Sequence, residues 1–160
     1  MTSPTARRLP LMHTPTTVID IEDYDRVAAA GPWHYVLCDG KTYAQRRVGN
    51  RTERLHTFLT GWPLVDHING NGLDNRRVNL RPATPSQNSA NTRTRLSVSG
   101  YRGVTWFART SRWRAHISVD GKQRHLGYFD DAAEAARVRD TAALEAFGEF
   151  ARLNFPQETS

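Results

Sequence analysis

The stretch Leu64-Val65-Asp66-His67-Ile68-Asn69-Gly70-Asn71-Gly72-Leu73-Asp74-Asn75-Arg76-Arg77-Val78-Asn79-Leu80-Arg81-Pro82 decides how the chain is read. Leu64 to Ile68 is strand-like, and Asn69-Gly70-Asn71-Gly72 is a glycine-rich turn. Asn75 to Arg81 leads out of that turn, and Pro85-Ser86-Gln87-Asn88 opens a helix. The result is a β-turn-β-α unit that gathers most of the chain's chemically useful side chains.

Hydrolysing a phosphodiester needs a base to activate water and a cation to stabilise charge on the leaving oxygen, and hard oxygen ligands suit magnesium. Asp66, His67, Asn79 and Asn88 offer those parts. Adjacent strand residues point to opposite sides, so Asp66 and His67 need a bend or a neighbouring element to converge on one phosphate. The following helix can bring Asn88 near Asp66. Taken alone, Asp66-His67 reads better as the start of a turn, with Asn69 to Asn75 a polar loop and Asn79 a structural residue bonding the backbone.

Upstream, residues 1–17 are rich in Thr, Pro and Arg without apolar period and read as a loose arm holding at most one extended segment. From Val18 the pattern predicts a short acidic helical turn around Tyr24 to Val27. A hairpin of Trp33–Leu37 and Tyr43–Val48 follows, with Asp39-Gly40 in its turn, and then a short helix over Leu55–Leu59 that Gly61-Trp62-Pro63 ends. Downstream, the polar run Asn91 to Ser99 marks a linker, taken as 92–98. Beyond it Gly103–Phe107, Trp113–Val119 and Arg124–Phe129 predict three strands, the last two joined by Asp120-Gly121. Asp130 or Asp131 then caps a helix to about Phe147, with Gly148 beyond it. Ala132, Ala135, Ala136, Ala142, Ala143 and Phe147 form the stripe that lies on the sheet.

The 160 residues have room for one ordinary domain or two small ones. With 22 Lys plus Arg against 16 Asp plus Glu, the formal charge is +6, which favours an anionic partner; nucleic acid, an anionic membrane surface and an acidic protein all suit it. No apolar run is long enough for a signal peptide or a membrane span, so a soluble, intracellular protein is expected. The single Cys38 rules out an internal disulfide and a multi-thiolate zinc site.

The run Leu55-His56-Thr57-Phe58-Leu59-Thr60-Gly61, followed by Val65 through Asn88, resembles the HNH homing endonucleases carried by bacteriophages, over about His56 to Asn91. The resemblance implies a ββα-metal (His-Me finger) module with His67 as general base and Asp66 and Asn88 as ligands of a Mg2+ or Mn2+ ion. Asn79 matches the middle Asn, which holds the fold together and helps orient the histidine. The last motif position is Asn rather than His, which keeps an oxygen ligand. His56 stands where this family often has a His, and a packed helix residue fits that place equally well. Arg76, Arg77 and Arg81, grouped beside the site, are candidate phosphate contacts.

Further on, Gly100-Tyr101-Arg102-Gly103-Val104, Arg112-Trp113-Arg114-Ala115-His116-Ile117, His125-Leu126-Gly127-Tyr128-Phe129-Asp130 and Leu153-Asn154-Phe155-Pro156 resemble the APETALA2-type DNA-binding domain, over about 99–156. That implies a three-stranded antiparallel sheet packed on one helix, its free face turned to the major groove. Arg102, Thr105, Phe107, Arg114, His116 and His125 are the candidate contacts. Several of these positions differ from the plant transcription factors, so the plant recognition site is not transferred.

The expectation is thus an α+β protein with an arm at 1–17, a nuclease module at 18–91, a linker at 92–98 and a DNA-binding domain at 99–156. It would nick double-stranded DNA as a monomer without an obligate protein partner, in the cytoplasm of a bacterial host. The rival reading is a sequence-specific DNA-binding protein whose nuclease module is inactive.

Overall fold

Leu9 and Leu11, two residues apart, face one side of an extended chain, and they anchor the beginning of the fold. The computed structural model describes residues 5–12, 15–92 and 98–156. In it β1 (Ala6–Pro10) pairs antiparallel with β2 (Thr16–Asp20), and Leu9, Leu11, Thr17 and Ile19 are buried. The loose arm expected at 1–17 is corrected over its described part. A segment without a convincing pattern of its own becomes a strand because β2 satisfies its backbone and the core accepts its leucines.

A 3₁₀ turn at Ile21–Asp23 leads into α1 (Tyr24–Ala30), which buries Val27. The expected hairpin is β3 (His34–Cys38) and β4 (Lys41–Val48), with Asp39 and Gly40 both at positive φ, as a tight two-residue turn requires. β4 also pairs with β5 (Arg51–Arg54), a strand without an apolar residue that the sequence did not signal. α2 (Leu55–Thr60) ends at Gly61 in the left-handed conformation. β6 (Val65–His67) and β7 (Leu80–Pro82) pair antiparallel across the loop quoted at the outset. Ile19, Val27, Trp33, Leu55, Leu59, Val65 and Leu80 make the core, and Trp33 Nε1 donates to Val27 O at 2.8 Å.

The chain divides into two compact units, Met1–Ala83 and Thr84–Ser160. The division precedes α3 (Pro85–Ala90) and does not coincide with the expected linker, of which residues 93–97 lie outside the described residues. A reciprocal capping box starts α3: Gln87 N donates to Thr84 Oγ1, and Thr84 N donates to Gln87 Oε1. The helix then bonds within the second unit, where Asp120 N donates to Ser86 Oγ at 3.0 Å and Arg102 Nη2 donates to Ser89 O at 3.3 Å.

In that unit β8 (Val104–Phe107), β9 (Arg112–Val119) and β10 (Lys122–Phe129) form an antiparallel sheet in the order β10-β9-β8, packed on α4 (Ala132–Phe147) through Val104, Ala115, Ala135 and Ala136. Asp131 caps α4 by accepting Glu134 N at 2.8 Å. Beside the anticipated alanine stripe lie two buried charges that the sequence reading did not place, Arg139 and Asp140. Asp140 accepts Asn154 N at 2.7 Å, Asn154 Nδ2 at 3.0 Å and Phe155 N at 2.9 Å, which ties the following chain to the helix. The architecture as a whole is α+β with antiparallel sheets.

Candidate active site

The β6–β7 ladder sets Asp66 opposite Arg81 and His67 opposite Leu80. All three residues of β6 are buried, so Asp66 and His67 must find partners inside the protein. Arg81 meets Asp66 through Nε at 2.9 Å and Nη2 at 2.8 Å, both on Oδ2.

Asn79 clamps the intervening loop. Its Oδ1 accepts Asn69 N at 2.9 Å, while its Nδ2 donates to Asp74 O at 2.7 Å and to Asn69 Oδ1 at 3.1 Å. The His67 ring is met by a different asparagine, Asn75, whose Oδ1 lies 3.3 Å from Nε2. Asn75 Nδ2 donates to Thr17 Oγ1 at 2.8 Å, and Thr17 Oγ1 donates in turn to Leu73 O at 2.8 Å. This chain of bonds orients the Asn75 amide so that Oδ1 faces the ring. His67 Nε2 then carries the proton, which makes Nδ1 the basic nitrogen. Sequence reasoning did not single out Asn75 as a partner of the His67 ring, because its position in a polar loop gave no signal of its own.

Two further rings enclose His67. His56, on α2, stands edge-on at 5.0 Å between centroids and 83°, and Tyr43, on β4, lies 5.9 Å away. Gly72 lets the loop approach Tyr43, since a Cβ there would fall 2.5 Å from Thr42 O and from Tyr43 Cδ1. Burial pushes the His67 imidazolium below its ordinary range, against the upward pull of Asn75 and Asp66. Burial, with His67 and Arg54 nearby, pushes His56 down to about 3. Both rings are held neutral near pH 7.

The three arginines read as phosphate contacts are each committed to a carboxylate of the same chain. Arg76 grips Asp74 at 2.7 and 2.6 Å, Arg77 grips Asp23 at 2.9 and 2.8 Å, and Arg81 holds Asp66. Asn88 lies on α3 in the second unit, where its backbone N donates to Thr84 O and its carbonyl accepts Thr92 Oγ1. Among the described residues no three His, Cys, Asp or Glu side chains gather into a metal cage. The oxygen groups around His67 are the buried carboxylates of Asp66 and Asp74 and neutral amide oxygens, a set whose chemistry suits a hard ion completed by water and substrate phosphates.

In the second unit the candidate contacts share one sheet face. Thr105 stands opposite Arg114, which stands opposite Tyr128, and His116 stands opposite His125. A bulge between His125 and Gly127 turns Tyr128 onto this face, where its ring lies 4.6 Å from His125 and 5.2 Å from Phe107. Tyr128 therefore joins the candidates, and the bulge that places it leaves no mark in the alternation. Arg102 departs from them, because it precedes β8 and its guanidinium turns to Ser89 O.

A family model described as HNH endonuclease matches residues 61–90. Protein 3.8 of Escherichia phage T7 is 36% identical over 90 residues, covering 56% of this chain and 74% of that protein. An uncharacterized HNH endonuclease, L560, of Acanthamoeba polyphaga mimivirus is 36% identical over 90 residues, 56% of this chain and 46% of its own length. The AP2-like ethylene-responsive transcription factor TOE2 of Arabidopsis thaliana is 45% identical over 84 residues, 52% of this chain. The chain spans 17% of the length of that plant protein.

Proposed function

We propose, from the premise that this chain belongs to the family of phage protein 3.8 and carries an HNH endonuclease domain with AP2-like homology behind it, that it is a divalent-metal-dependent DNA endonuclease. The observation that carries this reading is the setting of His67: buried, held neutral, and fixed by Asn75 in the tautomer that leaves Nδ1 basic, next to the Asp66 carboxylate. A neutral, oriented imidazole beside an oxygen ligand is what activation of water for phosphodiester hydrolysis requires.

In this reading His67 takes a proton from the attacking water at Nδ1 while Asn75 retains the proton on Nε2. Asp66 would hold Mg2+ or Mn2+, and the ion would supply positive charge to the scissile phosphate and the leaving oxygen; Asn88, to which the resemblance gives the same task, lies on α3. Asn79 keeps the loop closed and so keeps Asn75 and His67 in register. The sheet face of Thr105, Phe107, Arg114, His116, His125 and Tyr128 holds the duplex. With one such site per chain, the protein works as a monomer that nicks double-stranded DNA, in the cytoplasm of a bacterial host. Among the described residues no helix is long and apolar enough to cross a membrane.

One observation favours a second reading, a DNA-binding protein with an inactive nuclease module: Arg81 already occupies Asp66 Oδ2. Nicking of supercoiled plasmid carrying a library of candidate sites decides between the two. Magnesium-dependent nicking that EDTA stops, and that His67→Ala lowers by about 100- to 10,000-fold, is the expected result. Binding without cleavage across several metals would establish the second reading instead.

A further inference from the structure

Inside the second unit, between α3, the turn before β8, β9 and α4, lies a cavity of about 230 Å³ that the proposed nuclease chemistry does not use. Its lining includes Ser89, Thr92, Arg102, His116, Ser118 and Arg139. Three of these six are cationic or can become so, and none is a carboxylate.

Asp140, the carboxylate that acts on Arg102, is already paired with Arg139 and has no oxygen site left for Arg102. It accepts Arg139 Nη1, Asn154 N, Asn154 Nδ2 and Phe155 N. Arg139 spends the same Nη1 on Asp140 and on Arg152 O. Arg102 bonds a neutral carbonyl, Ser89 O, through Nη2, while its Nη1 is buried with no hydrogen-bond partner among the described residues. His116 Nδ1 is buried and unpartnered as well. A buried donor left unsatisfied is costly, and a buried guanidinium without a counter-charge is more so. Burial, followed by Arg139 and Arg152, pushes Arg102 down to about 10, as expected of a cation short of an anion.

We propose that this cavity is a phosphate-binding site, in which a tetrahedral oxyanion takes its charge balance from Arg102 and Arg139 and its remaining hydrogen bonds from His116 and the Ser89 and Ser118 hydroxyls. Planar guanidinium donors match phosphate oxygens, and short hydroxyl side chains complete such sites at little entropic cost. The phosphate can come from the backbone of bound DNA or from free inorganic phosphate. The site shares His116 with the sheet face that holds the duplex in the proposed function and otherwise has its own residues, and it does not depend on the nuclease being active.

The test is the melting temperature of the full chain against sodium phosphate at ionic strength matched with chloride. A specific site gives a rise that saturates, roughly 5–10 °C at about 100 times the dissociation constant, whereas the general effect of an excluded kosmotropic salt does not saturate. Arg102→Met removes most of the saturable rise. If that variant shows no folding transition, Ser118→Ala takes its place and weakens phosphate several-fold. Added duplex that abolishes the phosphate response assigns the site to a backbone phosphate, and an additive response assigns it to the free ion; either supports the proposal. No saturable rise in the wild type, or an equal rise in the folded variant, overturns it.

Discussion

Among the described residues the first unit buries Thr17, Asp23, Asp66, His67, Asp74, Asn75 and Asn79, whereas the second buries Asn91, Arg139 and Asp140 beside a core of Val104, Ile117, Phe147, Phe150 and several alanines. The first unit's polar groups are therefore partners of one another. Those of the second unit's sheet lie mainly on an outer face, opposite the helix. Side chains on that face can change without touching the core, while in the first unit the candidate chemistry and the stability rest on the same bonds.

The sharpest way to break this comparison is to remove one member of a buried pair and one member of an exposed pair. Arg81→Met leaves Asp66 without its guanidinium, the two side chains being 11% and 2% exposed. In urea titrations with EDTA it is expected to lose about 3–5 kcal/mol; a loss below about 1 kcal/mol would place this pair with ordinary surface pairs. Asn79→Ala comes next. It strands Asn69 N and Asp74 O inside the loop, and a loss of about 2–3 kcal/mol is expected by the same titration, with the second unit's transition unchanged.

Acid gives a third contrast. His56 titrates at about 3 in the folded chain, while an unfolded histidine titrates near 6.5. Between these values the unfolded state holds a proton that the folded state refuses, so stability falls as pH drops below about 6.5 and is retained above it. The first unit's melting temperature should fall between pH 7 and 4, and His56→Gln should flatten that fall. A parallel fall in the variant would move the acid sensitivity elsewhere. The smallest effect is expected for Arg112→Ala, whose Asp130 partner is 79% exposed. Its stability should change by about 0–1 kcal/mol, and a larger loss in thermal melts would show that the outer face also carries fold stability.

Where local chemistry dictates conformation, the sequence was legible. Asp39-Gly40 and Asp120-Gly121 mark turns that need positive φ, and both hairpins stand where they predict. Asp131 and Gly148 bracket α4 as caps should. Partner-dependent structure was not legible. β5 is all polar and exists through backbone pairing with β4, and β1 exists because β2 and the core receive it. Asp66, His67 and Asn79 are picked out through the resemblance, since residue type alone favours a turn and a polar loop. Their surroundings are not, because the residue that orients His67 is bonded to Thr17, 58 positions from Asn75 in the chain. The bulge that delivers Tyr128 depends on pairing with β9, and no count along β10 reveals it.

The bond from Asn75 to Thr17 also bears on what could be transplanted. The matched motif occupies 61–90, yet the hydroxyl that sets the Asn75 amide, and through it the His67 tautomer, arrives on β2. A cassette cut at the motif's own borders and grafted onto a new scaffold would carry the histidine without the instruction that tells it which nitrogen to keep protonated. The smallest portable unit begins with the strand pair at Ala6, and a designer who trims to the recognisable letters would inherit the composition of the site and lose its polarity.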